Sequence, residues 1–136
     1  VPIDGSEFST IALIKAREIG EKMNSDITIF NVIRPIQDYK YVHNKDFYKE
    51  AEASLLSQSN ELLEKERKNF EDYPGEVDSI YKRGDPAEEI VKYAEEGNYD
   101  LVVMGSRGLG AFSRTLIGSV SDKVIHHIKT SVLIVK

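Results

Sequence analysis

The sequence predicts an α/β protein with an open five-stranded parallel sheet and helices on both faces. Strand-like and helix-like segments alternate five times along the chain, which implies parallel pairing through right-handed crossovers. The length of 136 residues is normal for one domain. The 40% of hydrophobic and 30% of charged residues are close to the soluble globular average. We therefore assign residues 1–136 to a single domain.

The chain opens with a strand, a turn and a helix. Residues 1–3 are the last part of a buried strand, and Asp4-Gly5-Ser6 supplies turn and capping chemistry. The helix that follows has Ser6 or Ser9 as its cap and ends between Gly20 and Ser25. Its apolar residues recur at helical spacing, namely Phe8, Ile11, Ala12, Ala16 and Ile19.

The middle of the chain carries the second and third strands. Residues 27–33 are a β-branched run that Pro35 stops. After an irregular segment, a helix rich in Glu, Lys, Leu and Ala extends from about residue 46 to about residue 70, and we predict that it lies on the surface. Residues 76–82 alternate apolar and polar side chains, which predicts a half-exposed edge strand.

The last part of the chain predicts two more helix–strand pairs. Gly84-Asp85-Pro86 begins a helix that stops at Gly97-Asn98, and residues 100–104 are the next strand. A final helix runs from about 119 to 128, and Ser131 to Val135 closes the chain as a strand. The predicted inward residues of the first helix are Ile90, Val91 and Ala94, and the apolar residues of the second are Val120, Val124, Ile125 and Ile128.

Two glycine-containing segments predict a phosphate-binding cradle. Residues 101–108 run a strand into a glycine loop, and Gly118 precedes a helix that starts at Ser119. Glycine lets the backbone approach an anion closely. The free N–H groups and the positive dipole end of a helix also favour negative charge. In an open parallel sheet, ligands bind beyond the carboxyl ends of the strands, where Asp4, Val32 and Gly105 all lie.

The two common phosphate-loop patterns do not fit this loop. Gly105 to Gly110 has the spacing of a P-loop, but Ala111-Phe112 stands where Lys and Ser or Thr are required. A dinucleotide fingerprint fails because Ser113 replaces its third glycine and the loop follows the fourth strand. A structural reading stays open, since Ser119 with Asp122 matches a capping box that stabilises a helix for its own sake.

The pattern Gly105-x2-Gly108-x9-Gly118-Ser119 resembles that of the universal stress protein family. The resemblance covers essentially the whole chain, including the opening residues 1–9, Asn31-Val32, Gly84-Asp85-Pro86 and the closing strand. It implies a Rossmann-like fold of the adenine-nucleotide α-hydrolase type, with dimerisation through the last strand, Ser131 to Val135. Members that keep the complete glycine pattern bind ATP, and this sequence keeps it.

Carried over residue by residue, the resemblance implies a set of nucleotide contacts. Adenine and ribose would lie against Pro2, Asp4 and Val32, with Asp4 accepting hydrogen bonds. The phosphates would lie against the loop and the helix start, at Met104, Gly105, Ser106, Arg107, Gly108, Gly118, Ser119, Val120 and Ser121. Arg107 or Arg114 either pairs with the terminal phosphates or points into water. Mg²⁺ or Mn²⁺ would be bound through the phosphates, with no protein ligands assigned.

Three functional hypotheses remain at this point. The first is a cytoplasmic, ATP-binding universal stress protein that acts as a nucleotide-dependent switch or adaptor for an unknown protein partner. The second is an enzyme that hydrolyses ATP slowly or transfers nucleotidyl groups, although no catalytic residues can be assigned. The third is a dimeric interaction domain without nucleotide. The aromatic segment from Tyr39 to Tyr48 would be a lid or a partner surface.

Composition and isolated residues argue against other functions. The net charge of −5 without a basic stripe does not support a nucleic-acid site. The chain has no cysteine, which fits a reducing compartment such as the cytoplasm. No apolar run reaches the ~18 residues needed to span a membrane. His126 and His127 are adjacent on a helix, point about 100° apart and do not share a metal easily.

Overall fold

A computed structural model describes residues 1–36, 45–110 and 117–136. In chain order the elements are β1 (Pro2–Ile3), α1 (Glu7–Met23), β2 (Ile27–Ile33), α2 (Lys45–Lys68), β3 (Val77–Arg83), α3 (Pro86–Glu96), β4 (Leu101–Gly105), α4 (Ser119–His127) and β5 (Ser131–Val135). Every strand pairing is parallel. The predicted α/β class is therefore confirmed.

The strands form two hydrogen-bonded ladders, where the sequence predicted one continuous sheet. One ladder has the order β1-β2-β3 and the other joins β4 to β5. β1 and β4 contact each other at the junction. The Val1 amino group donates to the Thr28 carbonyl of β2, and the Val1 carbonyl accepts from the Phe30 N–H group. Because backbone groups alternate between the two edges of a strand, those of the next residue point towards β4. That residue is Pro2, which has no N–H group to donate, and this limits the ladder between β1 and β4.

Side chains alternate between the two faces of the strands, as the period of two requires. On one face Ile27 and Ile29 pack with residues of α1 and α2, and Val103 packs against α1. On the other face Phe30 and Met104 pack with residues of α3 and α4. Helices therefore cover both faces, as predicted, and β3 is a half-exposed edge strand within the described residues.

The topology places a crevice between β1 and β4. The chain proceeds from β1 outwards to β2 and β3, and then returns through α3 to β4 and β5. The connections that follow β1 and β4 therefore diverge, and in open parallel sheets this is where ligands bind. Asp4 follows β1 directly, and Gly105 is the last residue of β4.

One interpretation of a helix end is wrong. The capping box at Ser119 and Asp122 does not form, because α4 has Gly118 as its N-cap and Ser119 is already helical. Ile125, one of the apolar residues of α4, is 40% exposed, because Val124 and Ser121 hold the buried side of this short helix. In α1 the cap is Ser6, whose hydroxyl accepts a hydrogen bond from the Ser9 N–H group.

α2 is more than the predicted surface helix. Most of its side chains are exposed, but Ser59, Leu63 and Glu66 are buried against the sheet. Leu63 belongs to the same cluster as Ile29 of β2. None of the helices in the described part of the chain is long and apolar enough to cross a membrane. The predicted aromatic lid lies largely at residues 37–44, outside the described residues.

Candidate functional site

A cleft of about 800 Å³ opens at the carboxyl ends of β1, β2 and β4. This volume lies within the range of small-molecule sites. The start of α4 forms one end of the cleft, and one face of α2 forms a side wall. The cleft therefore lies at the place where the topology predicts a ligand.

The predicted contact residues come together in this cleft. All of them line it except Ser106, and the lining members are Pro2, Asp4, Val32, Met104, Gly105, Arg107, Gly108, Gly118, Ser119, Val120 and Ser121. Ser106 is fully buried, with 0% exposure, and lies beneath the loop. Its side chain is thus not positioned to contact a ligand in the cleft.

Asp4 connects the turn after β1 to the glycine loop. Its Oδ1 atom accepts a hydrogen bond from the Ser6 N–H group at 3.0 Å. Its Oδ2 atom accepts one from the Leu109 N–H group at 2.9 Å. A Cβ atom at Gly108 would lie 2.4 Å from the same Oδ2 atom, so a larger residue there would displace the Asp4 carboxylate from this position. Asp4 is therefore both a turn-stabilising carboxylate and a lining residue of the cleft.

Close backbone contacts hold the glycine loop in place. A Cβ atom at Gly105 would lie 2.8 Å from the backbone of Phe8 in α1. The Ser121 hydroxyl donates to the Gly105 carbonyl at 2.8 Å. The Ser106 N–H group donates to the Val135 carbonyl at 2.7 Å, and the Ser106 carbonyl accepts from the Gly118 N–H group at 2.7 Å. The loop is thus tied to α1, α4 and β5 at once.

The amino end of α4 faces the cleft without a side-chain cap. Gly118 has an extended conformation at the N-cap position, and no side-chain cap hydrogen bond forms there. The first N–H groups of any helix lack partners inside that helix. Ser119, Val120 and Ser121 form the first turn of α4 and line the cleft. Their N–H groups and the helix dipole favour an anion at this end.

Few charged side chains line the cleft. Among the described lining residues these are Asp4, Arg34 and Arg107. The two arginines and one aspartate give these lining side chains a net positive charge, whereas the whole chain has a net charge of −5. The Arg107 guanidinium lies over the Phe8 ring, 4.4 Å from its centroid, and its buried Nε atom has no hydrogen-bond partner among the described residues. Its predicted alternative, Arg114, lies outside the described residues.

Sequence reasoning missed the wall that α2 contributes. Leu55, Gln58, Ser59 and Leu62 line the cleft from this helix. Their spacing of three, one and three residues places them on one face, and this was the signal that could have revealed the wall. Pro86 and Ile90 of α3 also line the cleft and were predicted only as helix residues.

Asn31 entered the sequence analysis only as part of the family resemblance, but its side chain links the strands to the wall that α2 forms. The Nδ2 group donates to the Ile3 carbonyl at 2.7 Å. The Oδ1 atom accepts from the Ser59 hydroxyl at 2.7 Å. Both residues are buried and line the cleft. One side chain thus joins β1, β2 and α2.

Asp85 caps α3 beside the cleft. Its Oδ1 atom accepts hydrogen bonds from the Ala87 and Glu88 N–H groups, each at 3.1 Å. Lys123 of α4 donates to the same atom at 3.1 Å and to Glu88 at 3.0 Å. Burial acts to raise the pKa of the Asp85 carboxyl, but the Glu88 N–H group and the Lys123 ammonium outweigh it and lower this pKa. The hydrogen bond to Glu88 is the main reason why the pKa of Lys123 is raised.

The two adjacent histidines contact backbone carbonyl groups of their own helix. The Nδ1 atoms of His126 and His127 lie 2.8 Å and 2.7 Å from the carbonyl oxygens of Asp122 and Lys123, one turn earlier. Across residues 1–36, 45–110 and 117–136, no three His, Asp or Glu side chains gather as a metal site would require. Protonated histidine at the carboxyl end of a helix interacts favourably with the dipole.

Comparisons with known proteins agree with this architecture. A profile of the Universal stress protein family matches residues 1–136. The universal stress protein YxiE of Bacillus subtilis is 30% identical over 143 residues, which cover 100% of this chain and 96% of YxiE. The solved structure of the hypothetical protein MJ0577, from Methanocaldococcus jannaschii, is 32% identical, with a TM-score of 0.86 over 99% of this chain and 92% of that one.

A second solved structure contains a nucleotide. It is a universal stress protein in complex with cAMP, 26% identical to this chain, with a TM-score of 0.73. The match covers 100% of this chain and 94% of that protein.

Proposed function

The chain belongs to the universal stress protein family, and from this premise we propose that it binds ATP and acts as a nucleotide-dependent switch or adaptor in the stress response. The observation that carries the proposal is the uncapped start of α4, which meets the glycine loop at one end of the cleft. The cAMP complex of a relative supports an adenine nucleotide as the ligand class.

The phosphate end of the proposed site relies on backbone groups. The N–H groups of Ser119, Val120 and Ser121 donate to phosphate oxygens, while Gly105 and Gly108 allow the chain to approach them. A hydrogen bond to a charged group contributes about 1.5–3 kcal/mol. Three such bonds, together with contacts to the base and ribose and less the costs of ordering and association, agree with micromolar binding, about −8 kcal/mol.

The base and ribose end relies on the strand ends. Pro2, Asp4 and Val32 line this part of the cleft, and a ribose hydroxyl donates to the Asp4 carboxylate. One Asp4 oxygen already accepts from Leu109 and the other from Ser6. Each carboxylate oxygen has room for a second donor. A bound ribose can therefore join the existing hydrogen bonds without displacing the loop.

The same proposal treats Mg²⁺ or Mn²⁺ as part of the ligand. Among the described residues that line the cleft, Asp4 is the sole carboxylate, so the phosphates themselves would hold the ion. The metal supplies charge neutralisation between the phosphates. Hydrolysis of ATP would need a residue that orients water, and no pair of acid and base groups lines the described part of the cleft. We propose binding as the function, with slow hydrolysis of ATP as the alternative.

We further propose a homodimer through β5 and a cytoplasmic location. β5 pairs with β4 on one side, and its other edge carries unpaired backbone groups within the described structure. An open apolar edge is an aggregation hazard that pairing with a second copy removes. Sedimentation at tens of micromolar distinguishes the dimer from a monomer.

The decisive experiment is thermal unfolding of the purified, dialysed protein with and without millimolar ATP and magnesium. Ligand at about one hundred times the dissociation constant stabilises the fold by about 2.7 kcal/mol, a shift of several degrees for a domain of this size. Nucleotide released from the protein by heat is assayed in parallel. An unchanged melting temperature together with no released nucleotide rejects the proposed function.

A further inference from the structure

We propose that Asn31 and Ser59 are positioning residues that hold α2 against the ends of β1 and β2, and so set the width of the base end of the cleft. This inference rests on the proposed function, because it concerns the same site. It assigns a specific part of the binding free energy, the part due to the base and ribose, to a buried hydrogen-bonded pair that lines the cleft and acts by holding its walls in place.

The first support is the geometry of the pair. The Asn31 side chain is 8% exposed and Ser59 is 5% exposed. Asn31 donates to the Ile3 carbonyl and accepts from the Ser59 hydroxyl, both at 2.7 Å. These are normal distances for well-formed hydrogen bonds. A buried amide with a partner on both its donor and acceptor sides has one favoured orientation, which fixes the separation of the two elements that it joins.

The second support is the position of the pair along the chain. Ile3 directly precedes Asp4, and Asn31 directly precedes Val32, so the pair lies under both strand ends where the base and ribose are proposed to bind. Ser59 belongs to the face of α2 that lines the same cleft. The two walls of the base end thus meet through these hydrogen bonds.

The third support is the burial pattern of α2. No residue of this helix before Ser59 is buried, and the buried residues after it are Leu63 and Glu66. Ser59 is therefore the first buried residue of the helix, followed one turn later by Leu63. On the amino side of Ser59, Arg83 of β3 forms an ion pair with Glu52, whose side chain is 16% exposed. Loss of the Ser59 hydroxyl would weaken the attachment of the part of α2 that overhangs the base end.

The phosphate end has separate supports. Ser121 bonds Gly105, and Gly118 bonds Ser106; none of these residues contacts Asn31 through a hydrogen bond in the described structure. A change at Ser59 should therefore weaken ligands that contain adenosine and leave inorganic tripolyphosphate unaffected. A general structural defect would weaken both ligands together.

The test uses a matched pair of variants, Ser59→Thr and Ser59→Val. The two side chains are β-branched and nearly equal in shape, but only Thr keeps the hydroxyl. We expect Ser59→Val to bind ATP about tenfold more weakly than Ser59→Thr, the effect of one lost buried hydrogen bond. Tripolyphosphate should bind both variants within about twofold of each other, because the sites are separate. Titration calorimetry with magnesium measures all four affinities.

A second pair keeps the test valid if the added methyl groups prevent folding. Ser59→Ala removes the buried hydroxyl without adding volume. Ser57→Ala is its control, since the Ser57 hydroxyl bonds Glu61 at 2.9 Å on the exposed side of the same helix. Hydrogen exchange in the unliganded protein should increase over residues 45–58 in Ser59→Ala and remain unchanged in Ser57→Ala.

The outcomes separate this inference from the proposed function. If the parent protein binds ATP and Ser59→Val binds it as well as Ser59→Thr does, the positioning role is overturned. Equal losses for ATP and tripolyphosphate overturn it as well. If the parent protein binds neither ATP nor tripolyphosphate, the proposed function is rejected, and this inference is rejected with it.

Discussion

The helices α3 and α4 both begin at the cleft, but their amino ends are completed in different ways. At α3 the Asp85 carboxylate accepts hydrogen bonds from the Ala87 and Glu88 N–H groups. At α4 the N-cap is Gly118, and no side chain of the described residues caps the helix. Lys123 on α4 bonds Asp85, so the middle of α4 lies beside the start of α3.

This difference indicates that the start of α3 has a structural role and that the start of α4 is available to bind a ligand. A carboxylate at α3 already satisfies the N–H groups and the dipole of that helix, so an external anion would gain little there. At α4 the same groups are left for a ligand, and glycine at the N-cap keeps side-chain atoms out of the space that a phosphate needs. Changes at the α4 start should therefore alter binding, and changes at the α3 start should alter stability.

The largest expected effect comes from Gly118→Val. A Cβ atom at this position would lie 3.3 Å from the Arg107 Cα atom and 3.4 Å from the Ser106 carbonyl oxygen, so the larger side chain must displace the loop or fill the cleft. We expect ATP affinity to fall about one hundredfold or more, or about 2.7 kcal/mol. Calorimetry provides the measurement, and Ile125→Val on the exposed side of the same helix is the control. Unchanged ATP binding in Gly118→Val would remove the α4 start from the site.

The next effect is expected at the capped helix. Asp85→Ala removes the acceptor for two N–H groups of α3 and should destabilise the fold by about 1 kcal/mol. ATP affinity should stay within about twofold of the parent value, because the α4 start is separate from this cap. Urea unfolding gives the stability, with Glu96→Ala at the exposed end of α3 as the control. A large loss of ATP affinity without a loss of stability would reverse the roles that we assign to the two helices.

A smaller effect is expected from pH. The folded state lowers the pKa of Asp85 below the ordinary value of 3.8. The stabilisation from its charge is therefore complete above the ordinary pKa and is lost as the pH falls through the folded pKa. Asp85→Asn keeps a capping oxygen but no titrating group. The stability difference between the parent and Asp85→Asn should be constant near neutral pH and should shrink in acid; a difference that grows in acid contradicts this assignment.

The smallest effect is expected from Ser119→Ala. This residue is the first helical residue of α4 rather than its cap, so loss of the hydroxyl should leave the melting temperature unchanged. The backbone N–H group remains, and ATP affinity should fall only a few-fold, about 1 kcal/mol or less. A loss of stability as large as that of Asp85→Ala would restore the capping-box interpretation of Ser119 and Asp122.

Local patterns predicted most elements because they depend on neighbours along the chain. The helical spacing and the stop at Gly97 placed α3 within a residue or two of its observed bounds, Pro86–Glu96. The run from Ser131 to Val135 was placed at the bounds of β5. The predicted contact residues were placed in one cleft because parallel strands bring their carboxyl ends to one edge. What these residues bind stays a prediction.

The errors share a physical cause, which is competition from distant parts of the chain. Ser119 and Asp122 have capping-box spacing, but the Gly118 N–H group bonds Ser106 in the loop, and this fixes Gly118 as the cap. α2 has a polar composition typical of a surface helix, yet Ser59 is buried because Asn31 of β2 offers it an acceptor. Neither partner is adjacent in sequence.

The sequence by itself determined the α/β class, the parallel order of elements and the glycine spacing of the loop, since these follow from periodicity and from the conformational freedom of glycine. The tertiary structure alone decided three other features. These are the division of the strands into two ladders at Pro2, the burial of Ser106 under the loop, and the wall that α2 adds to the cleft. Each depends on contacts between segments far apart in the chain, and their geometry is set only when the whole domain packs.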